Sequence, residues 1–315
     1  MNIRDKEYFL IINPTACSGR AKKEYKIIIN KLQELKIKFD YALTQKPKEA
    51  IVFSQTAKKE NYPIVVAVGG DGTIAEVITG LFLANTTSNM PKLGVIHIGT
   101  SPDFNKYHNI PIQIPAAIHT LTQGKTRLID IGKITYQSFE PNAVKQVTSY
   151  FASNVNIGLG PRIAFKANSR YRKYLGDACG TFLALLTSLC GFKKFNLQVD
   201  IDGTKTELKN LINFTVGKDP YLASGMRVFN KISPDDGKLY CLQIAPASWI
   251  ELFINIPKLY FGNFLKYNGA RITYANNVNI SYCPEHPQVE FDGDAMGILP
   301  AEISVMHKAL EVITK

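Results

Sequence analysis

The sequence contains few cysteines and no long apolar run. Its five cysteines are odd in number and widely separated, and none has Cys-x-x-Cys spacing, so neither a disulfide framework nor a zinc site is indicated. The longest apolar stretch, at about residues 178–192, is interrupted by Gly and Thr and is too short to span a bilayer, and residues 1–6 include no apolar leader. These absences predict a protein of the reducing cytoplasm, either soluble or peripheral at the inner face of the membrane. The cysteines are Cys17, Cys179, Cys190, Cys241 and Cys283.

The sequence contains fewer acidic than basic residues. The 315 residues include 26 acidic and 37 basic side chains, which gives a formal net charge of +11. This excess favours polyanionic partners, namely nucleotide phosphates, an anionic membrane surface or nucleic acid, and charge alone does not choose among them. The basic residues are dispersed and form no recognised nucleic-acid-binding module, so no nucleic-acid partner is expected. The chain also lacks internal repeats and low-complexity linkers, and it is long enough for two domains.

The most informative stretch joins a predicted buried strand to a predicted helix. Residues 64–68 form a short β-branched run bounded by Pro63 and Gly69, which is typical of a strand covered on both faces. Residues 73–84 carry apolar side chains at helical spacing. Between them lies Gly-Gly-Asp-Gly-Thr (69–73), whose glycines allow positive φ and close backbone approach. The N-terminus of such a helix directs unpaired N–H groups at an anion, so a phosphate is the expected occupant.

Asp71 is the unusual residue of this turn. A carboxylate beside phosphates requires a metal ion or a role in proton transfer, whereas the simpler alternative is that Asp71 caps the helix in an ordinary tight turn. The turn is not a Walker loop, because no Gly-Lys-Ser/Thr follows, and it does not match the Gly-x-Gly-x-x-Gly of dinucleotide-binding folds. We favour a role for Asp71 in a catalytic metal or phosphate network.

The first half of the sequence alternates predicted strands and helices. Strands are expected at residues 8–12, 38–43, 64–68 and 92–98. Strands that alternate with helices form a parallel sheet, and ligands bind beyond the carboxyl ends of its strands. The polar turns that follow three of these strands are therefore expected to converge at one edge. The prediction is a Rossmann-like parallel α/β nucleotide-binding domain over residues 1–130.

Short strand-like runs separated by turns dominate the sequence after about residue 130. Asp-Gly pairs at residues 202–203, 236–237 and 292–293 are typical of hairpin turns. Helical insertions are expected at about residues 171–190 and 249–260. The second half is predicted to be a β-sandwich domain over residues 131–315, so the fold class is α/β followed by mainly β.

With these pieces in order, the chain resembles the bacterial diacylglycerol and sphingosine kinase-type lipid kinases over nearly its whole length. The matching motifs lie at residues 13–19, 69–73, 99–104, 217–226, 233–239 and 292–294. The resemblance implies ATP-dependent phosphorylation of a hydroxyl on a membrane lipid such as diacylglycerol. It also implies Mg²⁺ as a cofactor, an α/β nucleotide-binding domain and a β-sandwich domain.

The resemblance further implies roles for individual residues. Asp294 stands where the family has its acidic catalytic base, and a carboxylate within hydrogen-bond reach would accept the proton of the lipid hydroxyl. Asp236, with the backbone carbonyls of Ser233 and Lys238, falls where the family holds a structural Mg²⁺. The positions that fall where the family contacts ATP are Asn13, Thr44, Gly69, Gly70, Asp71, Gly72, Thr73, Ile74, Ala75, Glu76 and Thr100.

Three positions depart from the pattern of the family. Cys17 replaces a glycine, Pro102 replaces an asparagine and so removes an N–H donor, and Asp294 is one methylene shorter than glutamate. From the residues alone, Asp-Gly-Asp also suits an exposed turn, and Pro-Asp-Asp-Gly suits a type I turn. Two other functions therefore stay open: an NAD kinase-like enzyme, which shares the glycine turn, and a weakly catalytic sensor that binds nucleotide or lipid.

Two further segments have alternative interpretations. Residues 162–174 interleave basic and aromatic side chains. This segment could bind lipid headgroups or nucleotide phosphates, and the alternative is that it is simply a solvated helical face. The apolar residues 181–189 belong either to the core or to an acyl-chain pocket.

None of the five histidines has ligand spacing, and all are expected to be structural. The expected partners are ATP and a lipid substrate at the membrane surface, and a homodimer is left open.

Overall fold

The structure is a computed structural model that describes residues 7–16, 19, 21–138, 145–167, 171–222, 226–228, 231–260, 267–291 and 294–315. The chain divides into two compact units. One comprises Met1–Ile129 with Lys308–Lys315, and the other comprises Asp130–His307.

The first unit alternates parallel strands with helices, as predicted. The strands are neighbours in the order β2-β1-β3-β4-β17, and each pairing in this series is parallel. Their bounds, with those of the helices, are β1 (Tyr8–Ile12), α1 (Ala21–Glu34), β2 (Phe39–Leu43), α2 (Glu49–Lys59), β3 (Ile64–Gly69), α3 (Asp71–Leu83), β4 (Lys92–His97), α4 (Asp103–Tyr107), α5 (Ile114–Gln123) and the last residues of β17 (Asp294–Ile313).

The burial of the strands explains why a local pattern was sufficient to locate them. In β1 and β3 nearly every side chain is buried, because helices cover both faces of the sheet. β1 lies between β2 and β3, so the winding direction of the sheet reverses between β1 and β3. In open α/β sheets this switch point is where ligands bind.

The end of the chain corrects one predicted boundary. Residues 308–315 were assigned to the second domain, but they pack in the first unit, where Val312 pairs with Leu93 in parallel. Thr314 also donates a backbone hydrogen bond to the Lys125 carbonyl, at 3.0 Å. The strand-like pattern of this segment was visible in the sequence, but its pairing partner was not.

The second unit is mainly antiparallel β. The main series of strands is β14-β13-β10-β7-β16-β17, with antiparallel pairing throughout. The bounds of its elements are β5 (Thr126–Ser138), β6 (Gln146–Phe151), β7 (Asn154–Gly158), α6 (Leu159–Lys166), α7 (Arg172–Leu175), α8 (Asp177–Leu189), β8 (Phe195–Ile201), β9 (Thr204–Leu211), β10 (Asn213–Gly217), β11 (Tyr221–Leu222), β12 (Met226–Arg227), β13 (Leu239–Ile244), α9 (Trp249–Tyr260), β14 (Ala270–Ala275), β15 (Asn277–Ile280), β16 (Gln288–Phe291) and β17.

Two groups of buried side chains organise this unit. One core joins residues of the main series to residues of β5, β8 and β15, which is the packing of a β-sandwich. On another face of the main series, Tyr240 and Leu242 of β13 pack with Leu189 of α8 and Leu252 of α9. The helical insertions were thus correctly predicted, although the first begins earlier than expected, with α6.

The predicted hairpin at residues 202–203 is present and connects β8 to β9. Asp202 and Gly203 both have positive φ, 49° and 86°, as a two-residue hairpin turn requires. β9 itself has no strand signal in the sequence, because most of its side chains are polar and exposed. Among the described residues, no helix has both the length and the apolar character needed to cross a bilayer.

Candidate active site

The carboxyl ends of the central strands of the first unit bring the predicted turns together. Asn13 N donates to the Val68 carbonyl at 2.9 Å, and Ile98 N donates to the Gly69 carbonyl at 2.9 Å. Thr44, which follows β2, donates its backbone N–H to the Ile12 carbonyl at 2.9 Å. The turns after β1, β2, β3 and β4 therefore lie at one edge of the sheet, at its switch point.

Glycine permits a close approach between two of these turns. A Cβ at Gly99 would lie 2.5 Å from the Cα of Gly70, and a Cβ at Gly69 would lie 2.4 Å from the Thr73 Oγ1. The predicted use of positive φ is wrong, because Gly69, Gly70 and Gly72 are all described and none has a positive φ. Gly69 and Gly99 need glycine for space, because a Cβ there would overlap Thr73 or Gly70.

Asn13 links the turn after β1 to helix α3. Its side-chain Nδ2 donates to Thr73 Oγ1 at 3.2 Å. Its Oδ1 accepts hydrogen bonds from Thr15 N at 3.0 Å and from Thr15 Oγ1 at 2.8 Å. The Asn13 amide therefore fixes the turn against the first turn of α3, where the phosphate was predicted to bind.

Asp71 is the first residue of α3 and does not cap it. The N-cap is Gly70, whose carbonyl accepts the N–H groups of Thr73 and Ile74 at 2.9 and 3.1 Å. The capping alternative for Asp71 is therefore wrong. Its side chain is instead directed to the turn that follows β4, where the backbone N–H groups of Asp103 and Phe104 favour its charged form.

Asp71 and Asp103 form a pair of carboxylates. Burial and the Asp103 charge raise the pKa of Asp71 to about 8. Asp71 Oδ1 is buried and has no hydrogen-bond partner among the described residues. Asp103 is itself buried, and it is held by Ser101 Oγ at 3.2 Å and by Lys106 Nζ at 3.5 Å. A cation near Asp71 Oδ1 would relieve both the unsatisfied oxygen and the repulsion between the two carboxylates.

His97 was expected to be structural because no histidine lies at ligand spacing from it. It ends β4, is buried, and has no hydrogen-bond partner for either ring nitrogen within the described residues. Burial lowers its pKa to about 4, so the ring is neutral at pH 7. A Cβ at Gly99 would lie 2.9 Å from its Cε1, which places the ring beneath the same turn. The available signal was its position at the carboxyl end of a predicted strand.

The remaining predicted nucleotide contacts differ in exposure. Thr100 is exposed beside Gly99, and Thr44 is buried. Ile74 and Ala75 are buried in the core, so only their backbone faces the helix N-terminus. Glu76 Oε1 accepts the backbone N–H of Lys48 at 2.9 Å, which holds the residue that precedes α2.

The predicted metal turn of the second unit contains an ammonium group. Lys218 Nζ contacts Asp236 Oδ1 and donates to the Lys238 carbonyl at 2.9 Å. Ser233 donates its backbone N–H to Asp236 Oδ2 at 2.9 Å. Burial acts to raise the pKa of Asp236, but these hydrogen bonds outweigh burial and hold the pKa below its usual value. The residues do not fit the predicted Mg²⁺, because a lysine already occupies the position between its ligands.

The predicted base lies at the start of β17. The backbone of Asp294 pairs with Phe291, and its side chain lies outside the described part of the structure, as do residues 292–293 and Cys17. Its role as catalytic base stays a prediction.

The basic side chains of residues 162–174 that the structure describes are anchored to the protein. Arg162 Nη2 donates to the Cys190 carbonyl at 3.2 Å, and Lys166 Nζ donates to the Thr187 carbonyl at 2.8 Å. Both contacts lie at the end of α8. The side chains of residues 168–170 and 172–173 lie outside the description. The aromatic members Phe165 and Tyr174 are 67% and 74% exposed.

Comparison with known proteins identifies two families along the chain. Residues 7–134 match the diacylglycerol kinase catalytic domain, and residues 153–314 match the YegS C-terminal NAD kinase beta sandwich-like domain. The diacylglycerol kinase of Staphylococcus haemolyticus is 26% identical over 309 residues, which cover 97% of this chain and 87% of that protein. The diacylglycerol kinase of Staphylococcus carnosus is 26% identical over 312 residues, with coverage of 97% and 94%.

Solved structures show the same fold. The crystal structure of a diacylglycerol kinase from Bacillus anthracis has a TM-score of 0.69 and 20% identity, and the match covers 98% of this chain and 97% of that one. Yeast NADH kinase, solved in complex with NADH, has a TM-score of 0.56 and 14% identity, with coverage of 98% and 84%.

Proposed function

The chain belongs to the diacylglycerol kinase family, and on that premise we propose that it is an ATP-dependent lipid kinase. It transfers the γ-phosphate of ATP to a hydroxyl of a membrane lipid such as diacylglycerol. The observation that carries this proposal is the close approach of Gly70 and Gly99 at the N-terminus of α3, beside the Asp71 and Asp103 carboxylates.

The phosphates of ATP bind at the turn after β3. Phosphoryl transfer needs positioning and charge stabilisation more than covalent chemistry, and backbone N–H groups at a helix N-terminus supply both. The Gly70 and Gly99 backbones are in direct contact, which holds the turns after β3 and β4 together beside the N-terminus of α3. Asn13 holds Thr73 and thereby fixes the first turn of α3.

Asp71 and Asp103 would hold the Mg²⁺ that accompanies ATP. The unpaired Asp71 Oδ1 fits this role, since two carboxylates with phosphate oxygens and water form the usual Mg²⁺ environment in kinases. When bound, the ion would neutralise charge on the phosphates. Two carboxylates leave most of the octahedral coordination of Mg²⁺ to phosphate oxygens and water, so the ion would bind together with the nucleotide.

Asp294 accepts the proton of the lipid hydroxyl. A primary alcohol is a weak nucleophile, and a general base contributes about 10²- to 10⁴-fold to such a step. The support is its position in the family motif, at residues 292–294.

The lipid is taken from a membrane surface by the helical side of the second unit. Ile250 and Ile254 lie one turn apart on α9 and are 73% and 68% exposed. Phe165 and Tyr174 are exposed on α6 and α7, and both α6 and α7 pack against α8. Exposed large apolar side chains on a protein with net charge +11 favour peripheral binding to an anionic bilayer.

The test is an acceptor panel. Purified protein is incubated with γ-labelled ATP, Mg²⁺ and vesicles that contain diacylglycerol, phosphatidylglycerol, sphingosine or ceramide, with NAD as a separate acceptor. We expect label in one lipid. Label in NAD would instead establish an NAD kinase, a possibility raised by the fold shared with yeast NADH kinase. Binding of ATP with no labelled acceptor would establish a sensor.

A further inference from the structure

A buried lysine stands where the resemblance implies a structural metal ion. Lys218 is 2% exposed, and its Nζ lies 2.6 Å from Asp130 Oδ2 and 2.5 Å from Asp236 Oδ1. The third contact is the Lys238 carbonyl, at 2.9 Å. An ammonium group has three N–H donors, and all three therefore have an oxygen acceptor.

Two of these acceptors are the predicted Mg²⁺ ligands. The Asp236 carboxylate and the Lys238 carbonyl were both expected to bind the ion. Mg²⁺ requires oxygen ligands at about 2.0–2.1 Å in octahedral geometry. The Nζ of Lys218 already lies between these oxygens, so an ion at the same place would have to displace a buried side chain.

The chain also supplies the other hydrogen bonds of both carboxylates. Asp236 accepts the backbone N–H of Ser233 at 2.9 Å and that of Lys238 at 3.1 Å. Asp130 accepts the backbone N–H of Gly237 at 2.7 Å, and its Oδ1 lies 2.9 Å from His307 Nδ1. A buried carboxylate such as Asp130 is stable only when it is paired and hydrogen-bonded, and here both conditions are met without an external ion.

The ammonium group joins separate parts of the second unit. Asp130 belongs to β5, Lys218 directly follows β10, and Asp236 lies in the turn before β13. The backbone of Lys218 is fixed as well, since its N–H donates to the Ser153 carbonyl at 2.9 Å. A structural metal ion likewise stabilises a fold by linking loops that are distant in the sequence.

Solvent can reach this cluster. Asp236, Gly237, Lys238, Asn276, Val305 and His307 are among the residues that line an open cavity of about 420 Å³. A divalent ion in solution therefore has a route to Asp236, and competition between Lys218 and the ion can be measured in the folded protein.

We propose that Lys218 is a built-in replacement for the structural divalent cation, and that the second unit folds and stays folded without Mg²⁺. The proposal is independent of the acceptor that the protein phosphorylates. It concerns only the turn at Asp236, and the Mg²⁺ that accompanies ATP is a separate ion.

The first test compares thermal unfolding in EDTA and in millimolar Mg²⁺, on the full chain without nucleotide. The Tm of the wild type is expected to agree within about 1 °C in the two buffers, because a ligand that does not bind the native state does not stabilise it. Lys218→Met leaves the buried Asp130 carboxylate and the partly exposed Asp236 carboxylate without their cation, so its Tm in EDTA should fall by at least about 6 °C. Mg²⁺ should restore at least half of that loss, because the vacated position now accepts an ion.

The matched control is Lys209→Met, which removes an exposed lysine of β9 in the same unit. Its Tm should equal that of the wild type in both buffers. A wild-type Tm that rises by several degrees with Mg²⁺, and no longer does so in Asp236→Asn, would overturn the proposal. A folded Lys218→Met variant that gains no stability from Mg²⁺ would also overturn it.

A second measurement does not depend on the folding of Lys218→Met. Bound Mn²⁺ is counted by electron paramagnetic resonance in the wild type and in Asp236→Asn, again without nucleotide. The same number of bound ions is expected in both proteins. The loss of one bound ion per chain in Asp236→Asn would show a metal at this turn and refute the proposal.

Discussion

At the residue scale, Asp71 carries an electrostatic penalty that ligand binding would remove. Its pKa is raised from 3.8 to about 8, so the folded state holds a proton that the unfolded chain releases. Stability linked to Asp71 is therefore full below about pH 4 and is lost as the pH rises towards 8. Asp71→Asn removes the charge, and we expect the apo variant to be at least about 1 kcal/mol more stable than the wild type at pH 7.5.

Urea unfolding at several pH values measures this difference. The gain of Asp71→Asn over the wild type should be smallest near pH 4 and should grow with pH. Asp200→Asn is a control, because Asp200 lies in the second unit and its removal should not reproduce that trend. A gain that is constant across pH would contradict the assigned environment of Asp71.

His97 has the opposite pH dependence. Its pKa is lowered from 6.5 to about 4, because burial favours the neutral ring. The unfolded chain therefore binds a proton more readily, and stability linked to His97 is lost as the pH falls from about 6.5 towards 4. Between pH 7 and pH 5 we expect the wild type to lose about 2 kcal/mol relative to His97→Asn.

Chemical denaturation of both proteins at pH 7 and pH 5 checks this value. His119→Asn serves as the control, because it removes an exposed histidine from the same unit. Equal pH dependence in the wild type and His97→Asn would show that the ring is accessible to protons in the folded state.

At the scale of elements, the conformation of the turns after β3 and β4 depends on the close backbone contact between Gly70 and Gly99. Gly99→Ala places a Cβ 2.5 Å from the Gly70 Cα, whereas Gly70→Ala places one 3.4 Å from the Gly99 Cα. The backbone must shift in the first variant and hardly at all in the second. We expect Gly99→Ala to lower the Tm by several degrees more than Gly70→Ala and to weaken ATP binding at least about 10-fold, measured by calorimetry. A Gly99→Ala variant with wild-type Tm and ATP affinity would contradict the described approach.

The exposed apolar face of α9 is expected to contribute to membrane binding. Ile250→Ser with Ile254→Ser removes two apolar side chains that contact no core, so folding should be unaffected. Vesicle binding should weaken by roughly 10-fold or more, because each buried isoleucine contributes on the order of 1–3 kcal/mol at a membrane interface. Sedimentation with anionic vesicles measures the change. Val52→Ser on α2 is the matched control, and an equal effect of the control would refute a specific membrane face.

At the scale of the whole molecule, the sequence predicted what depends on local composition. The runs at residues 8–12 and 64–68 are recognisable because both faces of β1 and β3 are buried, so apolar side chains are continuous. Helix α4 was missed because it has a single turn, and β9 because its exposed side chains have no apolar alternation. Long-range pairing, such as that of Val312 with Leu93, has no local signal.

The same distinction applies to the candidate sites. The glycine turn with Asp71 was recognisable because its residues are contiguous. The Lys218 cluster was not, because Asp130, Lys218 and Asp236 are distant in sequence and a single lysine has no pattern. His97 was judged by spacing alone, although its place at the end of β4 was the informative feature.

One measurement tests the central claim most directly: the rate of label transfer from γ-labelled ATP to diacylglycerol vesicles, for the wild type and Asp71→Asn side by side. We predict a labelled phospholipid from the wild type and a rate at least about 100-fold lower from Asp71→Asn, since the variant loses a carboxylate of the proposed Mg²⁺ site beside the phosphates. Equal rates from the two proteins, or no labelled lipid from a wild type that binds ATP, would contradict the account.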